Sequence, residues 1–134
     1  MRKFIWTIVV MTIFAVGFAA SDTTDESLVG KYTLTDAQGT KWYFSFTSDT
    51  KVTVKKEGMS DDDMFYGNRS YESDGHYQID FDDFYAGNPP ISFPKIGKPY
   101  GDMPWYLTTD GWLYCDYDRL LAKNPEVRLK MNKQ

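Results

Sequence analysis

The chain has 134 residues, 17% of them aromatic, with a single histidine and a single cysteine. An internal disulfide is therefore excluded, and a zinc site built from several Cys and His ligands has no basis. The formal charge is −4, and without the first twenty residues it is −6, with 13 basic against 19 acidic side chains. Nucleic acid and anionic membrane surfaces repel such a protein.

At the N-terminus, Arg2 and Lys3 precede an uncharged apolar run over residues 4–18. The small residues Gly17, Ala19 and Ala20 close it, and polar, acidic sequence begins at Ser21. This order predicts a secretory signal peptide. The run of about 15 residues is short of the roughly 20 needed to span a bilayer, so cleavage is expected and stable membrane insertion is not. Gly17 and Ala19 fit the small-x-small spacing, which places the mature start at Ala20 or Ser21. The expected organisation is a signal peptide over 1–20, a polar leader over 21–27 and a single β domain over 28–134, secreted or periplasmic.

Tyr32 and Leu34 alternate with Lys31, Thr33 and Thr35, the period of a half-buried strand. After a turn at 36–39, Trp42, Phe44 and Phe46 alternate with polar partners, and after 48–50 so do Val52 and Val54. These segments predict a three-stranded meander with one apolar face. Residues 57–83 hold nine acids and one base, Arg69. Within them Asp61, Asp62 and Asp63 mark an exposed loop, Tyr66 and Tyr71 flank a turn region, and Ser73-Asp74-Gly75 is a further turn. Tyr77, Ile79 and Phe81 form the next strand. Residues 91–96, containing Pro94, read as an edge strand. Asp110-Gly111 joins two strand-like runs as a two-residue hairpin, which places Trp105, Leu107, Trp112 and Tyr114 on one face. The other face is also fairly apolar, so the hairpin is expected to be covered on both sides. A helical turn is expected over 119–123, and Val127, Leu129 and Met131 alternate in a closing strand. Together these elements predict an all-β antiparallel meander closing into a small barrel or sandwich of about eight strands.

No catalytic constellation stands out. His76 would have to serve any Ser-His-Asp or Cys-His site, yet nothing in the sequence sets a nucleophile beside it, and it reads as an exposed residue at a strand end. Asp61-Asp62-Asp63, Asp80-x-Asp82-Asp83 and Asp116-x-Asp118 offer oxygen ligands, but none fits an EF-hand loop, and they read as solvated acidic loops. Neither a metal nor a cofactor is expected. Cys115 reads as a small buried hydrophobe. Asn68-Arg69-Ser70 matches the glycosylation sequon, a short and common pattern.

Leu28-Val29-Gly30-Lys31-Tyr32, the strand at 42–46 and the hairpin at 105–116 resemble the small secreted lipocalin-like proteins of Bacteroidota. Tyr32 stands where lipocalins carry the tryptophan of Gly-x-Trp. The resemblance implies an eight-stranded barrel with a cavity and a role in binding rather than catalysis.

Two readings of function follow. In the first, a non-catalytic secreted barrel binds a small apolar or amphipathic ligand through Trp42, Phe44, Tyr77, Trp105, Trp112 and Tyr114. In the second, an acidic module such as an inhibitor or immunity protein engages a basic extracellular or periplasmic enzyme, with Asp61, Asp62 and Asp63 as the protein-binding surface. A filled core favours the second.

Overall fold

The computed structural model describes residues 28–82, 87–99 and 103–134. The expected signal peptide and leader, Asp83, and part of the loop before Trp105 lie outside the described residues. Among the described residues nine strands follow one another: β1 (Gly30–Thr35), β2 (Lys41–Phe46), β3 (Lys51–Lys56), β4 (Phe65–Glu72), β5 (His76–Phe81), β6 (Trp105–Thr108), β7 (Trp112–Tyr114), β8 (Leu129–Lys130) and β9 (Asn132–Lys133). One short helix, α1 (Tyr117–Ala122), lies between β7 and β8. No helix among the described residues is long and apolar enough to cross a membrane.

The sheet order is β8-β7-β6-β5-β4-β3-β2-β1-β9, every pairing antiparallel. The last two strands are halves of one segment interrupted at Met131. Its first half pairs β7 and its second half pairs β1, so the C-terminus bridges the two ends of the meander. The result is a nearly closed barrel, which leaves little free edge. The expected all-β antiparallel barrel is what forms.

The period-two pattern sets the interior. Leu34, Trp42, Phe44, Phe46, Val52, Val54, Ile79, Trp105, Leu107 and Leu113 each show at most 1% of their surface. Each such side chain contributes about 1.5–3 kcal/mol by leaving water. Gly67 also faces inward, and a Cβ there would stand 2.5 Å from the Asp80 carbonyl oxygen. Only glycine lets β4 approach β5 this closely.

Three expectations are corrected. The first is the turn region between Tyr66 and Tyr71, which is instead the middle of the eight-residue strand β4. Its small polar residues, Asn68 and Ser70, are outward positions, and Arg69 is buried inside with its Nη1 donating to the Lys51 carbonyl at 3.3 Å.

The second is the edge strand at 91–96. Pro94 removes a donor from this segment, Pro89 and Pro90 remove two just before it, and its only ladder-like pairing among the described residues is the bridge between Phe93 and Gly97. It plugs one end of the barrel instead. Ile91 and Phe93 are buried, and the Phe93 ring meets Trp105 edge-on at 5.2 Å.

The third is the register of the late hairpin. Tyr106 pairs with Tyr114 and Leu107 with Leu113, so the loop holds Thr109, Asp110 and Gly111 rather than two residues. Gly111 sits at φ +92° and its N–H donates to the Thr108 carbonyl at 3.0 Å, the geometry of a three-residue loop closed by a glycine bulge. The Thr108 hydroxyl also accepts the Trp112 N–H at 2.9 Å. One added loop residue turns every side chain of β7 over. Leu113 and Cys115 therefore join the interior, while Trp112 and Tyr114 lie on the outer wall. The hairpin is covered on both sides as expected, because Tyr114 packs with Leu120 of α1 and Val127 in a second small core. The expected helical turn is present and begins two residues earlier, capped by the Asp116 carboxylate accepting the Arg119 N–H at 2.8 Å.

Candidate functional site

The six side chains expected to line an interior ligand site divide in two. Trp42, Phe44, Tyr77 and Trp105 face inward and are fully buried. Trp112 and Tyr114 are on the other side of the sheet. Interior space is correspondingly small. At the end opposite the plug, Tyr32, Tyr77, Leu107 and Met131 line a recess of about 210 Å³. Ligand pockets for drug-sized molecules run from about 300 to 1,000 Å³.

Trp112 is half-buried beneath Arg128, whose guanidinium carbon stands 3.7 Å from the ring centroid, with the Lys130 ammonium at 5.0 Å. This is a cation–π contact at the edge of the second small core, against which the half-buried Trp112 also packs. Trp112→Ala should therefore cost about 1–2 kcal/mol, less than the 3–5 kcal/mol typical of a buried tryptophan. Urea melts giving a loss of core size would contradict this placement.

Asp61, Asp62 and Asp63 form a short exposed 3-10 turn, capped by the Ser60 hydroxyl. Asp61 is paired with Lys55 at 2.5 Å. That hydrogen bond and the lysine charge hold the Asp61 carboxyl below its ordinary value. The turn belongs to a basic neighbourhood: the outward positions of β1 to β3 carry Lys31, Lys41, Lys51 and Lys55 and no carboxylate.

The wall made by β4, β5 and β6 has the opposite character. Its outward positions are Tyr66, Asn68, Ser70 and Glu72 on β4, then His76, Gln78 and Asp80 on β5 with Asp82 just beyond it, then Tyr106 and Thr108 on β6. None is lysine or arginine. The one base in the acidic stretch, Arg69, is inside the barrel, and among the described residues a cation meets this wall only at its β3 border, where Lys51 Nζ donates to Asn68 Oδ1 at 3.0 Å. Gln78 donates to Asp80 at 3.1 Å, and Asn68 to Asp82 at 3.1 Å, so the carboxylates are held in place on the strands.

His76 stands at the head of this wall. It is buried rather than exposed at the strand end, because α1 and the 72–75 turn close over it. Its Nδ1 lies 2.7 Å from Asp74 Oδ1. The Tyr117 hydroxyl donates to Asp74 Oδ2 at 3.2 Å. The imidazole meets the rings of Tyr106 at 5.6 Å and Tyr117 at 5.7 Å. The sequence signal for this cluster was spread over three segments, and only the fold brings Asp74, His76, Tyr106 and Tyr117 together.

A groove of about 390 Å³ opens here, lined by Glu72, Ser73, Asp74, His76, Gln78, Tyr106 and Tyr117. Burial raises the Tyr106 hydroxyl above its ordinary value, and the charges of Asp80, Glu72 and Asp116 add to the shift. The hydrogen bond to Asp74 and that carboxylate's charge raise Tyr117. Both tyrosines thus stay neutral in a negative field. The Asp74–His76 pair orients an imidazole as a catalytic dyad does, but no hydroxyl or thiol among the described residues is hydrogen-bonded to the ring. Cys115 lies elsewhere, its thiol pushed up by burial and by Asp116. No cluster of three or more His, Cys, Asp or Glu among the described residues is arranged to hold a metal ion.

No family model matches the chain, and neither the curated proteins nor the solved structures give a significant match to it.

Proposed function

We propose that this chain is an exported, non-catalytic binding protein that engages a cationic protein through the outer wall of β4 to β6. The observation that carries the reading is the charge asymmetry of the barrel: the outward positions of β4 to β6 hold carboxylates and no lysine or arginine, those of β1 to β3 hold lysines, and the two walls meet where Lys51 donates to Asn68 at 3.0 Å. Such a field steers a basic partner and orients it before contact. The alternative, a small apolar ligand inside the barrel, needs room that Trp42, Phe44, Phe46 and Trp105 occupy. An inhibitor or immunity protein for a basic enzyme is the functional class that fits best.

The test is capture of a partner from native exported material, followed by kinetics with two variants. Asp80→Lys/Asp82→Lys should slow association by about tenfold or more at low salt, and the difference should collapse near 1 M salt, where the screening length is about 3 Å. Asp61→Lys/Asp62→Lys/Asp63→Lys should change the rate much less, because that turn lies beside the lysine wall. A partner indifferent to the first variant, or an apolar molecule that copurifies inside the barrel, would overturn the reading.

A further inference from the structure

We propose that the groove beside His76 is a pocket for one arginine side chain presented by the cationic partner. This rests on the outer-wall reading and names the contact that would give that wall its specificity.

An ionised carboxylate only accepts, so the 2.7 Å contact with Asp74 puts the His76 proton on Nδ1. Nε2 is left over for the groove, an acceptor whenever the ring is uncharged. No other polar partner holds this ring among the described residues, although its side chain is only 7% exposed. Asp74 and Glu72 add carboxylate oxygens whose neighbours, the hydroxyls of Tyr117 and Ser70, leave further lone pairs free. The groove therefore gathers acceptors and is lined by no lysine or arginine that could supply the matching donors.

Its remaining walls are aromatic. The Tyr106 and Tyr117 rings pack against each other, their centroids 5.3 Å apart and tilted by 53°, and Tyr117, 40% exposed, leaves ring surface open to a flat cation. Guanidinium combines a planar face with five donors in a fixed fork, whereas ammonium is a strongly hydrated point charge. The same molecule already uses this pairing nearby, where Arg128 lies 3.7 Å over Trp112. A groove of about 390 Å³ has room for such a side chain.

The test uses the purified protein and three probes, N-acetyl-arginine amide, its lysine counterpart and the neutral isostere N-acetyl-citrulline amide, each titrated while aromatic and amide NMR signals are followed. Arginine should shift His76, Tyr106 and Tyr117 saturably, with citrulline weaker by about tenfold and lysine weaker by roughly threefold or more. Glu72→Gln removes one carboxylate from a partly exposed strand end. It should weaken arginine binding by roughly fivefold while leaving the core amide signals in place. Equal shifts from citrulline and arginine, binding by lysine as strong as arginine, or shifts that map to Asp80 and Asp82 without saturation would each sink the pocket. The two proposals separate cleanly. Asp82→Lys alone alters no groove-lining residue, and Asp82, unlike Asp80, is not among the charges that act on Tyr106, so slowed partner association with retained arginine binding supports both. Loss of arginine binding in the groove alone leaves the wall reading standing.

Discussion

Asp36→Ala should destabilise the protein by about 3–5 kcal/mol, although Asp36 reads in the sequence as an ordinary turn residue. One carboxylate ties three parts of the fold together. Its Oδ1 accepts the N–H groups of Gln38 and Thr40, each at 2.9 Å, which shapes the β1–β2 turn. Its Oδ2 accepts the Trp42 indole N–H and the Ser92 N–H, each at 3.1 Å. The second pair joins the barrel core to the plug across 56 residues of chain. Truncation leaves those two donors buried and unpaired, at about 1–3 kcal/mol each, and frees the plug that covers Trp105. Burial pushes the Asp36 carboxyl up, but the Ser92 and Thr40 N–H groups, the Trp42 indole and the Gln38 N–H together outweigh it and leave the carboxyl below its ordinary value. A carboxyl depressed in the folded state contributes stability that is present above its unfolded value, about 3.9, and is lost as the pH falls further. Wild-type stability should thus drop below about pH 4 in part through Asp36, and Asp36→Asn should flatten that limb. Denaturant melts between pH 2.5 and 7 check both statements, and a variant with wild-type stability at pH 7 would remove Asp36 from this role.

The barrel was legible because its signal is local. Trp42, Phe44 and Phe46 repeat at period two, as do Tyr77, Ile79 and Phe81, and both triplets face inward as read. What failed was decided by single residues or by distant partners. At Asp110-Gly111 the dipeptide suits a two-residue loop and also a three-residue loop with glycine at its end. Side-chain bonds from Thr108 select the second and turn Trp112 outward. At 66–71, Gly67 and Asn68 look like turn residues, yet the glycine is there because Asp80 and Phe81 press against it. His76 looks exposed because α1, which covers it, lies about forty residues away in sequence. The candidate site was least legible of all. Its acidic character could be counted in residues 57–83, but the loss of Arg69 to the interior, and with it the unbalanced field outside, is a property of the closed barrel.

Trp105→Ala should cost about 3–5 kcal/mol, the range for deleting a buried aromatic, and the conservative variant separates packing from polarity. Trp105 is fully buried between Phe81 and Phe93, with both neighbours edge-on at 5.2 Å. Its indole N–H nevertheless has no acceptor among the described residues. Trp42 is equally buried, but its N–H is committed to Asp36. Replacing either ring by phenylalanine removes similar volume. At position 105 the change also deletes an unsatisfied buried donor, which offsets part of the packing loss; at position 42 it strips a charge-assisted hydrogen bond from a buried carboxylate, worth about 1.5–3 kcal/mol. Trp42→Phe should therefore be more destabilising than Trp105→Phe by at least about 1 kcal/mol in matched urea melts. The reverse order would mean that the Trp105 N–H is satisfied and that the plugged end of the barrel is polar where the side chains make it apolar.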